Sequence, residues 1–225
     1  MMALLWKEHD TIIFDGEGVV IASEPIWDAG QVEFLRRRGI AYDREKLKPL
    51  LTGRSLREGV QIMQAEFGFP GDPSALAAER LAIVRDAFRR DVGPGDFVPG
   101  FREFFEKIAP RFKTAVATMM TKELLDPVVE KLQLAALFGE HIYSPDAHDL
   151  PGKPEPDLFL FAARRLGSTP GRSVVIEDSP IGIEAAKRAN MFAIGIATTF
   201  TRAKLAAADL VVDSFAGIPL PDPAG

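Results

Sequence analysis

Six residues scattered along the 225-residue chain have side chains suited to one reaction: Asp15, Glu17, Thr118, Lys153, Glu177 and Asp178. A carboxylate such as Asp15 can attack phosphorus and form an acyl phosphate, which divides a hard hydrolysis into two easier displacements. That attack brings one anion onto another, so positive charge must be supplied. Asp15 and Asp178 together suit a hard cation, since Mg2+ takes one or two carboxylates and completes its shell with water and phosphate oxygen. Lys153 would add a charge beside the nucleophile and the phosphoryl oxygens. The Thr118 hydroxyl can donate to a phosphoryl oxygen, and the helix start that follows it offers backbone donors. Glu17, two residues beyond Asp15, can protonate the leaving oxygen and then activate water.

These groups need a scaffold that brings them together. Short apolar runs rich in β-branched residues recur at Thr11–Phe14, Thr114–Ala117, His141–Tyr143, Val174–Ile176, Ala193–Ile196 and Leu210–Val212. Runs of this kind suit strands buried on both faces. Helical periods lie between most of them, as in Leu125, Val128 and Leu132, and in Leu158, Ala162 and Leu166. The alternation predicts an α/β fold with a Rossmann-like parallel sheet. In such sheets ligands sit at the carboxyl ends of the strands. Asp15, Thr118 and Glu177-Asp178 each follow a strand run, and Lys153 precedes a helix opening at Pro154–Asp157.

Between the first two strand runs lie roughly 100 residues with helical rather than strand periodicity. Leu56, Val60, Met63 and Phe67 share one face; Ala77, Leu81, Val84 and Phe88 share another. The expected organisation is a catalytic core of residues 1–23 and 93–225 with an α-helical cap inserted at 24–92. Breakers at Gly93-Pro94-Gly95 and Pro99-Gly100 mark the return, and the two crossings make a natural hinge.

Several of these residues also have structural readings. Ser179-Pro180 is a helix start, which makes Asp178 a favourable charge at the positive helix end as well as a metal ligand. The Arg36-Arg37-Arg38, Arg89-Arg90 and Arg164-Arg165 runs sit at helical positions among acids and read as solvated faces. His9, His141 and His148 lack metal-ligand spacing. No dinucleotide or Walker glycine pattern is present.

The string Ile12-Ile13-Phe14-Asp15-Gly16-Glu17-Gly18-Val19-Val20, with Thr118, Lys153 and Glu177-Asp178 in order, resembles the four motifs of the haloacid dehalogenase-like hydrolase superfamily. Gly152–Asp157 and Ile176–Ile183 look like its β-phosphoglucomutase-like branch, and Ser23-Glu24-Pro25-Ile26-Trp27 like its bacterial sugar-phosphate phosphatases. The resemblance implies a Mg2+-dependent phosphatase acting on a small sugar or polyol phosphate through a phospho-aspartate. It assigns Asp15 and Glu17 to catalysis, Thr118 and Lys153 to phosphate, and Asp15, Asp178, Glu177 and the Glu17 backbone carbonyl to the metal, with Glu177 acting through water. Thr52-Gly53-Arg54-Ser55 resembles the substrate loop of the cap, with Arg54 and Ser55 as contacts; a helix start capped by Ser55 fits the same residues. Ala22 and Trp27 depart from the mutase pattern and favour a phosphatase. Glu17 replaces the usual Asp, and Met119-Met120 make the pocket edge more apolar. The longer Glu17 side chain either works after small readjustment or slows turnover. At its limit this leaves a non-catalytic, phosphate-binding regulatory module, while a dehalogenase is disfavoured by the acid at this position.

Composition bounds the partners. The net charge of −5 offers no reason to expect nucleic acid or an anionic membrane. There are no cysteines and no apolar run of membrane-spanning length, and Met1–Asp10 does not read as a signal peptide. The expectation is a cytoplasmic monomer with a small phosphorylated metabolite as its partner. The Pro-rich end, Ile218–Gly225, reads as a loose tail.

Overall fold

The computed structural model describes residues 6–52 and 54–220. All six apolar runs form strands: β1 (Thr11–Phe14), β2 (Lys113–Ala117), β3 (Ile142–Tyr143), β4 (Ser173–Glu177), β5 (Phe192–Ile196) and β6 (Leu210–Val212). The described helices longer than one turn are α1 (Glu24–Arg36), α2 (Arg44–Leu51), α3 (Leu56–Phe67) and α4 (Pro73–Asp91), then α5 (Phe101–Ile108), α6 (Lys122–Lys131), α7 (Leu134–Phe138), α8 (Asp157–Arg165) and α9 (Pro180–Arg188). The chain divides into two compact units, one running to Ala22 and resuming at Pro94, the other Ser23–Gly93.

In the first unit the six strands form one parallel sheet ordered β3-β2-β1-β4-β5-β6. Both faces are covered, which explains why β1 is apolar at nearly every position rather than alternating. Ile13, Ala115, Val175 and Ala193 meet Leu158, Phe159, Ala162, Ile183 and Ala186 of α8 and α9 in one core cluster. Elsewhere in the unit Phe14 meets Phe101 and Phe138 edge-on, with ring centroids 5.6 and 5.9 Å away. Each large apolar side chain buried in this way contributes roughly 1.5–3 kcal/mol relative to exposure.

The strand order reverses at β1. From there β2 and β3 run to one side and β4 to β6 to the other, and such a switch point leaves a crevice at the carboxyl ends. Phe14 lies level with Val116 and with Ile176, so the residues following β1, β2 and β4 emerge side by side. Where the chain leaves and re-enters this unit it pairs with itself: Val98 N donates to Val20 O (3.0 Å) and Ala22 N to Asp96 O (2.8 Å).

The second unit is all helical. Phe34, Leu35, Leu47, Leu51, Val60, Met63, Leu76 and Ile83 make its core. Asp43, Ser55 and Asp72 cap α2, α3 and α4 through their side chains. Arg80 is buried inside it, with Nε donating to Gln31 Oε1 (3.0 Å) and Nη1 to Leu56 O (3.3 Å).

Two expectations change. Arg38 is not on a solvated face: its guanidinium lies over the Phe34 ring and pairs with Glu79, so its stem and head both find partners. The tail is anchored at its start, because Ile218 is buried and Trp6 Nε1 donates to Pro219 O (2.6 Å). The rest of the tail (221–225), the leader reading at 1–5 and Gly53 of the substrate loop lie outside the described residues.

Candidate functional site

The site is built from the carboxyl ends of β1, β2 and β4 in the sheet unit. Asp15 is the first residue past β1, and its backbone N still donates to Ile176 O (2.9 Å), so the ladder with β4 fixes it. Gly16 follows, and a Cβ there would come 2.5 Å from Thr118 Oγ1. Glycine at 16 is therefore what lets the Thr118 hydroxyl lie against this loop. Thr118 is buried past the end of β2, and its Oγ1 accepts from Met120 N (3.2 Å), which leaves the hydroxyl proton to donate elsewhere.

Lys153 joins the strand ends. Its buried Nζ donates to Asp15 Oδ1, to Glu177 Oε1 (2.8 Å) and to Ala117 O (3.2 Å). Met119 braces its backbone: the thioether sulfur accepts from Lys153 N (3.4 Å) and the terminal methyl sits against Gly152. Met119 is thus exposed on one side and structural on the other, while Met120 is buried.

Glu177 is the last residue of β4 rather than the first of the loop, and it is buried. Its Oε2 accepts from Ser179 N (2.7 Å) and Ser179 Oγ (2.8 Å), and the carboxylate occupies the space a side chain on Gly182 would need. Ser179 caps α9 by accepting from Gly182 N (3.1 Å), with Pro180 at its first position. Asp178 therefore stands at a helix start, and it also turns its carboxylate onto Gly18. Gly18 has φ +73°, a left-handed conformation favouring glycine, and any Cβ there would overlap Asp178.

The electrostatics follow from this crowding. Burial raises the Asp178 carboxyl well above the ordinary carboxylate range, and the Glu177 and Asp15 charges add to the shift. Burial likewise pushes Asp15 upward, and Lys153 only partly offsets it. For Lys153 burial works against the charge, yet Asp15 and Glu177 outweigh it and hold the ammonium above its usual value. The centre therefore carries more negative charge than Lys153 balances. Asp15 and Asp178 could hold a divalent cation, which would offset that charge. Among the described residues no three His, Asp or Glu side chains converge as a full protein cage, and Mg2+ does not need one.

Two features were not legible in the motifs. Thr198 and Thr199, just past β5, reach the loop after β1: Thr198 Oγ1 donates to Gly18 O (2.5 Å), and the Thr199 hydroxyl lies with the Asp178 carboxylate against Gly18. In addition, the helix after Thr118 starts only at Lys122, and the Lys122 N–H is taken by Asp146 Oδ2 (2.7 Å).

In the helical unit Arg54 is exposed. Ser55 is engaged in a capping box: its Oγ accepts from Glu58 N (3.2 Å), and Glu58 Oε2 accepts from Ser55 N (2.9 Å). That is the helix-start reading of these residues.

Fold and site together define a parallel α/β protein with a carboxylate–lysine centre at its switch point. The chain belongs to the haloacid dehalogenase-like hydrolases, whose family model matches residues 9–190, and it is a hydrolase of that class. It is 29% identical to the fructose-1-phosphate phosphatase YqaB of Escherichia coli (strain K12), covering 85% of this chain and 98% of that protein. It is 30% identical to the validoxylamine A 7'-phosphate phosphatase of Streptomyces hygroscopicus subsp. limoneus, covering 95% and 97%. A third relative, Suppressor of quenching 1 of Arabidopsis thaliana, is 29% identical over 96% of this chain, which spans only 21% of that longer protein. Among solved structures, a haloacid dehalogenase-family hydrolase of Deinococcus radiodurans R1, holding phosphate and sodium, superposes with a TM-score of 0.77 at 28% identity, covering 93% of each chain.

Proposed function

We propose that the protein is a Mg2+-dependent phosphatase that hydrolyses a small sugar or polyol phosphate through a phospho-aspartate at Asp15. The observation that carries this reading is the buried Lys153 bridging Asp15 and Glu177, with Asp178 and Thr118 closing on the same loop. The substrate class rests on what the full-length relatives are named for.

Lys153 holds one Asp15 oxygen, which leaves the other to attack phosphorus. Attack forms the Asp15–phosphorus bond and breaks the bond to the leaving oxygen, which takes its proton from Glu17. Glu17, now ionised, removes a proton from water, and water displaces phosphate from Asp15. Thr118 donates to the phosphoryl oxygens, and the Lys153 ammonium, with its protons shared among Asp15, Glu177 and Ala117, opposes the negative charge that gathers beside it. Asp15, Asp178 and the Glu17 carbonyl would hold Mg2+, which supplies charge cancellation between the two anions. Both Glu177 oxygens are already engaged, so its part is to orient Lys153 and to reach the metal through water. Arg54 is the proposed substrate contact of the helical unit, presented by the Ser55 cap.

A competing reading, a phosphate-binding module without turnover, rests on Glu17 in place of Asp. A screen of sugar phosphates, p-nitrophenyl phosphate and phosphoglycolate with Mg2+ separates the two. Turnover that is lost in Asp15→Asn supports the phosphatase; phosphate binding without any turnover supports the module.

A further inference from the structure

The pair Thr198-Thr199 lies past β5, two strands away from β1, yet both side chains end on the loop that carries the nucleophile. That loop is closed on itself: Val20 N and Ile21 N donate to Gly16 O (2.9 and 2.8 Å), and Gly18 N donates to Ile21 O (2.8 Å). These bonds leave the outward carbonyl of Gly18 for Thr198 Oγ1, at 2.5 Å. Thr199 Oγ1 lies 2.7 Å from where a Cβ on Gly18 would stand, and the Asp178 carboxylate occupies the same space. The threonine backbone is itself anchored, with Thr198 N donating to Ile196 O (2.9 Å) and Ala197 N to Val212 O (2.9 Å). Glu17 sits between a Gly16 packed on Thr118 and a Gly18 held from the β5 side.

We infer that Thr198 and Thr199 are positioning residues: a clamp from the end of β5 that sets the backbone at Glu17-Gly18 and the direction of the Asp178 carboxylate. The catalytic part of this inference rests on the phosphatase reading; the clamp itself does not. Its chemical logic is a division of labour. Glu17 carries a longer side chain than Asp would, so its carboxyl is placed well only where its backbone is fixed, and a misplacement of about 1 Å can cost roughly a hundredfold in rate.

Thr198→Val keeps the branched shape and removes the donor, whereas Thr198→Ser keeps the donor. Amide exchange in the metal-free full-length chain should quicken about five- to tenfold across residues 16–21 in Thr198→Val, as expected for one lost hydrogen bond. It should return toward wild type in Thr198→Ser, with β4 amides unchanged in both. At saturating sugar phosphate the Val variant should lose a similar factor in kcat with KM unchanged, and calorimetry should show weaker Mg2+ binding without substrate. Unchanged exchange across residues 16–21 overturns the clamp whatever the activity. Quickened exchange with unchanged kcat and Mg2+ affinity overturns its positioning role. A wild type that neither turns over phosphate esters nor binds Mg2+ overturns the phosphatase reading instead, and the exchange measurement still decides the clamp. Should β4 exchange show that Thr198→Val is unfolded, Thr198→Ala is read by the same criteria.

Discussion

Replacing Lys153 by Met removes the one charge that the structure places between Asp15 and Glu177. The side chains involved are almost wholly buried: 2% exposed for Lys153, 9% for Asp15 and 1% for Glu177. Methionine roughly matches the stem, so the cavity term is small and the cost is electrostatic. Breaking a buried pair from one side costs about 3–5 kcal/mol, because the remaining charge stays buried without compensation. For a chain of this size each kcal/mol moves Tm by about 2–4 °C, so a fall of roughly 10 °C is expected. The chain has two tryptophans, Trp6 in the sheet unit and Trp27 in the helical unit, so a Trp27→Phe background makes fluorescence report the sheet unit alone. In that background Lys153→Met/Glu177→Gln should regain part of the loss, with a coupling of about 1 kcal/mol or more. Phosphatase turnover should fall by about a hundredfold or more, the usual consequence of losing a donor to developing charge. Stability within about 1 kcal/mol of wild type in the single variant would show that Lys153 does not compensate a buried charge.

Three further predictions follow from other contacts. Glu17→Asp shortens the proposed acid–base arm and should raise hydrolysis of the preferred sugar phosphate, by up to about a hundredfold; steady-state kinetics on both proteins decides it, and an unchanged kcat shows that this methylene is not limiting. Gly18→Ala places a methyl group on the Asp178 carboxylate at a left-handed φ; Mg2+ affinity and turnover should both collapse, while exchange in β5 stays native. In the helical unit, hydrogen bonds from Arg36 and Arg37 push the Glu33 carboxyl down to about 2 from an ordinary 4.5. A depressed acid stabilises the fold above its unfolded pKa and loses that contribution as pH falls through its folded one. The α1 helix should therefore lose this support between pH 4.5 and about 2. Carbon-detected NMR of the carboxyl reads the midpoint directly; because the group is exposed, added salt should move it back toward 4.5.

How much of this was legible beforehand differs by element. The strands were, because a sheet covered on both faces demands continuous apolar runs, and Thr11–Phe14 or Val174–Ile176 allow little else. The convergence of Asp15, Thr118 and Asp178 followed from the rule that parallel strands deliver their carboxyl ends to one edge. Lys153 was legible as a cation at the site but not as a buried bridge, since that depends on how the loop before α8 is seated by Met119. Ser55 remained open between two chemistries until its hydroxyl was seen in the capping box. Arg38 read as part of a solvated face, and only the packing shows Phe34 and Glu79 waiting for it; Arg80 carried no signal in the sequence, and its partner Gln31 appears only in the fold. Thr198 and Thr199 carried a usable signal, a hydroxyl pair directly after a buried strand at the same sheet edge, but no motif pointed to them.

The central claim is that Asp15 is phosphorylated during turnover. Rapid acid quench of a Glu17→Gln variant with p-nitrophenyl phosphate and Mg2+, followed by peptide mass spectrometry, reads this step, because nitrophenolate leaves without a proton from Glu17 while the variant lacks the group that activates water. One phosphoryl group is expected on the peptide containing Asp15, sensitive to hydroxylamine and absent in Glu17→Gln/Asp15→Asn. Phosphate release by a wild type whose Asp15→Asn variant turns over equally fast, with no acyl phosphate at any quench time, would contradict it.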